Sequence, residues 1–250
     1  MNRTRTLRHV VPSMSDGHRE HPIIVAIDGP AGSGKSSVSR AVAARLDLNY
    51  LDTGAMYRAL TWAVLQAGVN PDDPAAVAAC VESADAPTIV SGTDPTDPMI
   101  DVDGTDVRAP IRGPEVTANV SAVSAVPAIR NFLVDLQRKQ VAQSTHGIVV
   151  EGRDIGSVVL PDADVKVFLT ADPAVRAQRR AAETMEQVDP AQLAATETSL
   201  RERDAKDSSR VVSPLTRADG AIEIDTSDLT FEQVVDAVVH LVTDGAGEVA

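Results

Sequence analysis

An α/β protein with a doubly wound, five-stranded parallel sheet is what this sequence predicts, and three observations carry the prediction. Five apolar strand-like runs alternate with helical patterns between Ile23 and Thr243, the order that builds a parallel sheet covered on both faces. The first run, Ile23-Ile24-Val25-Ala26-Ile27-Asp28, passes straight into Gly29-Pro30-Ala31-Gly32-Ser33-Gly34-Lys35-Ser36, the glycine-rich turn that joins a buried strand to a helix and cradles phosphate. Between residues 85 and 112 the texture changes to short β-like pieces around Asp103-Gly104. That pair is a hairpin signal, and a hairpin sits awkwardly in a strand-helix-strand progression, so the segment is expected to be an inserted antiparallel mini-sheet, a satellite of the main sheet.

Each element has its own warrant. Val38, Val42, Ala43 and Leu46 recur at helical spacing after the phosphate turn, giving a helix from near Ser36 to near Leu48. Asn49–Asp52 is the second strand, Thr53-Gly54 a turn and helix entry, and Ala55–Ala67 a helix with Met56, Leu60, Ala63 and Val64 on one face, closed by Gly68. Pro71-Asp72-Asp73-Pro74 leads into a weakly amphipathic helix, Ala75–Ser83. The insertion offers Thr88–Val90, Met99–Val102 and Thr105–Val107 as strands. Helical pattern resumes over Val116–Val126 and, after Pro127, over Ala128–Ser144. Gly147–Glu151 reads as a fully buried strand, Gly152–Gly156 as its loop and Val165–Leu169 as the fourth strand. Asp172 at the N-cap and Pro173 at the first helical position start a helix bearing Arg176, Arg179 and Arg180. Residues 184–190 interrupt it, Leu193–Asp207 is helical again, Ala221–Asp225 is the fifth strand and Phe231–Thr243 the closing helix. Residues 1–21 are expected to be a disordered leader, with Met14 an alternative start, 22–244 the folded domain and 245–250 a tail.

Composition narrows the class. The 250 residues are 43% hydrophobic and 24% charged, with no run near the ~20 apolar residues of a membrane span. A net charge of −13 argues against nucleic acid or an anionic membrane as a partner of the whole surface. The leader lacks the apolar centre of a secretory signal, and the single cysteine, Cys80, excludes an internal disulfide framework, so a cytoplasmic location is expected. Only four of the 23 basic residues are lysines. The arginines gather at the motifs, where a planar guanidinium suits phosphate.

The phosphate turn assigns chemistry to residue types. Gly29, Gly32 and Gly34 are expected at positive φ, so that backbone N–H groups converge on an anion. Lys35, placed at the open mouth of the turn and outside the core, reaches the β- and γ-phosphates, and Ser36 is the expected Mg²⁺ ligand. A switch GTPase, a motor ATPase and a small-molecule kinase all fit that much. No Asn-Lys-x-Asp run is present for guanine, and a second set of anion-binding side chains, Arg58, Arg130, Arg153, Arg203 and Arg210, implies a second phosphate-bearing substrate.

The runs IDGPAGSGKSS, LDTGAMYR, NVSAVSAVPAIR, EGRDIGSVVLPDA and RERDAKDSSRVVSPL resemble the bacterial cytidylate kinase family over roughly Ile23 to Leu241. That resemblance implies the P-loop nucleoside monophosphate kinase fold, in which ATP phosphorylates CMP or dCMP and Mg²⁺ assists. Residue by residue, it implies that Gly29, Pro30, Ala31, Gly32, Ser33, Gly34, Lys35, Ser36 and Ser37 hold ATP. Thr53 and Arg58 meet the monophosphate, Ser121, Arg130 and Asp154 read cytosine, Arg153 binds phosphate, and Arg203 with Asp207 contacts the ribose. Lys35, Arg153, Arg203 and Arg210 would be the catalytic set, and Arg176, Arg179 and Arg180 the start of a mobile lid. The implied division is a core of 22–57, 145–175 and 211–244, a monophosphate-binding region of 58–144 with its insertion at about 85–112, and a lid at about 176–210. Without the resemblance those three helical arginines read as a solvated face. Glu151 stands where the family pattern suggests a shorter Asp near the metal, and Ser208-Ser209 thins an arginine-rich segment. A monomer is expected. Other acceptors, uridylate or shikimate among them, and a slow ATP-dependent regulatory module remain the alternatives.

Overall fold

Alternate residues of strand β1 (Ile24–Asp28) are buried on opposite faces of one sheet, and that alternation organises the molecule. The computed structural model describes residues 21–184, 189–210 and 213–244. In chain order β1 is followed by α1 (Lys35–Arg45), β2 (Asn49–Asp52), α2 (Thr53–Gln66) and α3 (Pro74–Glu82). The insertion contributes β3 (Ile89–Ser91), β4 (Ile100–Val102) and β5 (Thr105–Asp106), then a 3₁₀ turn at Pro110–Arg112. Next come α4 (Pro114–Ser124), α5 (Pro127–Gln143), β6 (Ile148–Gly152), a π-helical turn at Ile155–Val159, and β7 (Val165–Thr170). The helix pair α6 (Pro173–Thr184) and α7 (Pro190–Ser208), then β8 (Ile222–Asp225) and α8 (Phe231–Thr243), complete it.

The main sheet is parallel in the order β2-β6-β1-β7-β8, so β1 lies at its centre with β6 and β7 as neighbours. Its two faces explain why the central strands read as continuous apolar runs. Val25, Ile27, Tyr50, Val149 and Val167 pack beneath α1 and α8. Ala26, Leu51, Ile148 and Val150 pack beneath α2, α3 and α5. The predicted five strands, flanking helices and separate antiparallel sheet β3-β4-β5 are all present. Asp103 and Gly104 take φ of 52° and 78°, the left-handed pair a two-residue hairpin turn requires.

The structure departs from the sequence reading in particular places. The helix entry expected at Thr53-Gly54 is already helical, α2 starting two residues before the expected Ala55, because the Asp52 carboxylate accepts from the Ala55 N–H at 2.8 Å and caps the helix there. The expected loop Gly152–Gly156 is divided, Gly152 ending β6 and Ile155-Gly156 opening the π-helical turn. Helix α1 stops at Arg45, and left-handed Asp47 (φ 54°) redirects the chain into β2. The insertion is less of a satellite than expected, since Ile89, Ile100 and Val102 share one core with α2 and α5. Its 91–96 segment is tied down as well: Tyr50 N–H donates to Thr93 O (2.8 Å), Arg40 to Pro95 O (2.8 Å) and Gln140 to Ser91 O (2.6 Å). By contrast, the buried apolar cluster beneath α6 and α7 consists of Ala31, Ala177 and Leu200. The leader with Met14 and the tail lie outside the described residues, apart from His21. No described helix is long and apolar enough to cross a membrane.

Candidate active site

At the carboxyl end of β1 the phosphate turn is wedged against the sheet. Gly29 has φ 150°, and a Cβ there would fall 2.0 Å from Leu169 O at the end of β7, so glycine alone fits. Gly32 and Gly34 also take positive φ, as expected. Helix α1 starts with no side-chain cap and no acidic residue in its first turn, which leaves its leading N–H groups to an anion. The Ser33 hydroxyl, also in this turn, is buried without a partner.

Lys35 differs from expectation. Rather than sitting at an open mouth it is 6% exposed, and its Nζ donates to Pro30 O at 2.7 Å. Burial and the nearby Arg153 cation push the ammonium pKa down, while Glu151 and Asp28 oppose the shift. Glu151 is buried too, and Tyr50 Oη donates to its Oε1 at 2.6 Å. Burial, then the charge of Asp52, pushes the Glu151 carboxyl up; Lys35 and hydrogen bonds from Tyr50 and Ser36 pull it back. The Tyr50 hydroxyl, reaching across from β2, thus holds the longer arm of Glu151 beside Ser36. No cluster of three or more His, Cys, Asp or Glu suited to a metal occurs among the described residues. Ser36 with Glu151 suits an ion that takes few protein ligands and keeps the rest from substrate phosphate and water, which is the habit of Mg²⁺.

Next to this turn opens a cleft whose lining includes Thr53, Tyr57, Ser121, Ser124, Arg130, Arg153, Asp154, Arg203, Asp207 and Arg210. Segments far apart in sequence supply it: the start of α2, helices α4 and α5, the turn after β6, and the end of α7. Asp154 and Arg130 form a buried ion pair, with the Arg130 guanidinium 5.4 Å from the centre of the Tyr57 ring. Buried Asp207 accepts from Arg153 Nε at 3.2 Å and from Arg210. Arg210 also donates to the Ser124 hydroxyl at 3.3 Å. A charged pair at the end of a buried strand is expected to need a ligand; here Arg153 and Asp154 each have a protein partner instead. Arg203 has a buried Nε without one. Burial, followed by the charges of Arg153 and Arg58, pushes Arg203 down to about 9, which is the mark of a cationic site short of anions.

Other predicted residues serve differently. The Thr53 hydroxyl donates to Glu151 O at 2.7 Å and so pins the end of β6. Arg58 lies outside the cleft lining, donating to Ile111 O (3.1 Å) and Thr117 Oγ1 (2.9 Å), and burial with the nearby Arg180 pushes it down to about 10. Ser36 and Ser37 are exposed at the rim of the phosphate turn. Arg176 is no solvated face residue: it is buried, donates to Ala171 O and Ala31 O at 3.1 Å each, and pairs with Asp204 of α7. Arg179 donates to Thr226 Oγ1 (2.8 Å) and Thr226 O (2.6 Å). Sequence reasoning missed Tyr50, Ser124, Asp204 and, at the head of the phosphate turn, Asp28. Only Asp28 had a signal, as an acid ending an otherwise apolar strand.

Comparison with known proteins spans the stretch of chain that holds these residues. The family model described as cytidylate kinase matches residues 25–244. A cytidylate kinase of Streptomyces avermitilis is 57% identical over 222 residues, covering 89% of this chain and 93% of that protein. One from Nocardia farcinica is 51% identical, covering 88% and 94%. A bifunctional pantoate ligase/cytidylate kinase of Synechococcus elongatus is 47% identical over 90% of this chain, which spans 43% of that longer protein. Because the family model spans the sheet, the phosphate turn and every residue lining the cleft, and full-length relatives are more than half identical to it, the chain belongs to the cytidylate kinase family.

Proposed function

We infer that the protein transfers the γ-phosphoryl group of ATP to CMP or dCMP, giving CDP or dCDP and ADP. One observation carries this reading: Lys35 of the phosphate turn lies close enough to Arg153 and Arg203, which line the cleft, for their charges to act on it. Two anion sites therefore share one centre, as a transfer between two phosphate-bearing substrates needs. A cytoplasmic monomer acting on pyrimidine nucleotides is the setting implied.

The acceptor is itself a phosphate oxygen anion, so no general base is required. The work left to the chain is alignment of the two phosphates and neutralisation of the charge between them. The residues of the turn from Gly29 to Ser37 hold the donor phosphates, with Lys35 against the β- and γ-oxygens. Arg153, Arg203 and Arg210 bring the acceptor phosphate into line and share the charge of the moving group. Arg58 would join them as the monophosphate clamp once its present bonds are exchanged. Thr53, through the end of β6, fixes where this acceptor edge begins. Ser36 and Glu151 would hold Mg²⁺, which when bound supplies further neutralisation of the donor phosphates. Asp154 accepts from the exocyclic amine of cytosine, Arg130 and Ser121 donate to its acceptor edge, and Arg203 and Asp207 contact the ribose.

A coupled assay of ADP release across CMP, dCMP, UMP, AMP and shikimate tests the reading. CMP and dCMP are expected to lead. Turnover led by UMP or shikimate overturns the acceptor assignment, and ATP binding with no accepted substrate favours a regulatory module.

Helices α6 and α7 are expected to close over the bound pair, excluding water from the transferring group. Among the described residues the apolar cluster buried beneath them is small, which favours their opening. Amide exchange over residues 176–210 should therefore slow when CMP and a non-hydrolysable ATP analogue bind together. The effect should exceed that over the tethered insertion, and equal exchange with and without ligands would rule out closure.

A further inference from the structure

Asp28 ends β1 immediately before the phosphate turn, and it is 3% exposed. Its two carboxylate oxygens accept from the backbone N–H groups of Ile155 (2.8 Å) and Gly156 (2.8 Å), 127 and 128 residues away. Those amides lead the π-helical turn Ile155–Val159, whose preceding residue is Asp154. In that position an aspartate normally caps the turn itself, folding its carboxylate back onto the leading amides. Asp154 does not: it makes no capping hydrogen bond, and its carboxylate is paired with Arg130 in the cleft.

We propose that Asp28 is a positioning residue for base recognition, capping the turn from across the sheet so that the Asp154 side chain is released into the cleft. The register supports this, since Asp28 lies opposite Gly152, the last residue of β6. There a Cβ would fall 2.6 Å from Ile155 Cδ1 and 2.8 Å from Thr53 Oγ1, so the strand end leaves the turn little room to shift. Burial pushes the Asp28 carboxyl up to about 6, while the two amide bonds pull against that shift; of the charges acting on it, Asp154 adds to the rise and Lys35 opposes it. An acid kept in so unfavourable a place is held there by the amides it receives. With Asp28 altered, the leading amides lose an acceptor, and the residue in the N-cap position to replace it is Asp154 itself.

The inference rests on the reading that Asp154 distinguishes cytosine from uracil, and the test separates the two. The ratio of kcat/KM for CMP over UMP is measured in the wild type, Asp154→Asn and Asp28→Asn, with the Kd for ATP determined alongside. The carboxamide of the Asp28→Asn variant keeps one acceptor and sets an NH₂ donor against the other backbone amide. Asp28→Asn is expected to narrow the ratio at least about fivefold while the Kd for ATP stays within about twofold, because the donor turn keeps its backbone. A folding defect alone would lower the active fraction and leave the ratio untouched. An unchanged ratio in Asp28→Asn beside a narrowed one in Asp154→Asn overturns the capping proposal alone; no change in either overturns the base reading and this inference with it. Should Asp28→Asn not fold, Asp28→Glu keeps the carboxylate but misplaces it and is expected to give an intermediate ratio, a wild-type value counting against the proposal. In the wild type, the Ile155 and Gly156 amides must be protected from exchange by at least about 100-fold, and free exchange at either overturns the cap.

Discussion

Lys35→Met is expected to lower kcat by at least about 10³-fold while leaving the melting temperature unchanged or raised. The first half follows from the role proposed for the ammonium, which meets charge as it develops in a site that has expelled water; removing one such donor typically costs about 10² to 10³. In the proposed role Lys35 would meet both phosphates that separate, so the larger figure is the one to expect. The second half follows from the structure. Burial and the Arg153 cation depress the Lys35 pKa, so the folded chain holds the charged form at a cost; an uncharged side chain of similar length removes that cost, which offsets the lost bond to Pro30 O and the lost attraction of Glu151 and Asp28. Lys35→Ala should lose as much activity but also opens a void, so its stability is expected to fall. Single-turnover rates beside thermal melts check both. Turnover within about tenfold of wild type would remove Lys35 from the reaction, and an unfolded Lys35→Met would show that its buried stem is structural.

Asp154→Asn should narrow the CMP-to-UMP ratio of kcat/KM at least about tenfold, a change of ~1.4 kcal/mol, mostly through loss of CMP activity. Cytosine offers an amine at position 4 that a carboxylate accepts, while uracil offers a carbonyl oxygen, so the wild type sets acceptor against acceptor. Sites built on such a hydrogen bond reject the wrong partner by as much as about 10⁴-fold. An amide at 154 can donate to uracil. The structure adds a second consequence, because Arg130 is buried and paired with this carboxylate. Neutralising Asp154 leaves a buried guanidinium without its counter-charge, which generally costs ~3 kcal/mol or more. The variant should therefore also melt earlier, and the ratio, which is indifferent to the folded fraction, is the quantity to read. A ratio that survives would assign base recognition elsewhere and leave Asp154 as the partner of Arg130. Because Arg130 is the buried partner of the Asp154 carboxylate, its replacement should alter the ratio as well.

The elements are legible because their signals are local. Strand-like runs such as Ile148–Val150 are bounded by turns, the Asp103-Gly104 pair has one good conformation, and the phosphate turn is a contiguous string. The candidate site is legible as a set of residue types but not as a set of partners. Arg176 reads as exposed because nothing near it in sequence announces Ala31 O or Asp204, which only folding brings within reach. Arg58 sits in the right motif yet spends its guanidinium on Ile111 O, at the end of the insertion, and on Thr117 of α4. Lys35 reads as open because a motif specifies order along the chain and says nothing of depth. Thr53-Gly54 reads as a turn leading into a helix because an Asp-Thr-Gly string suits both, and the Asp52 cap places the first helical residue at Thr53. Asp28 escapes notice since its two partners are more than a hundred residues downstream.

The sheet divides the interior into two compartments whose side chains do not mix, with Val25 and Ile27 on one side and Ala26 on the other. The cleft's walls rise from the side of α2, α4 and α5, whereas Val234, Val235, Val238, Leu241 and Val242 of α8 fill the other. Changes beneath α8 that fill space or improve packing share no side chain with the residues that meet the acceptor, and separated changes of that sort add rather than interfere. For anyone engineering the protein, the α8 face is where robustness can be raised without retuning selectivity.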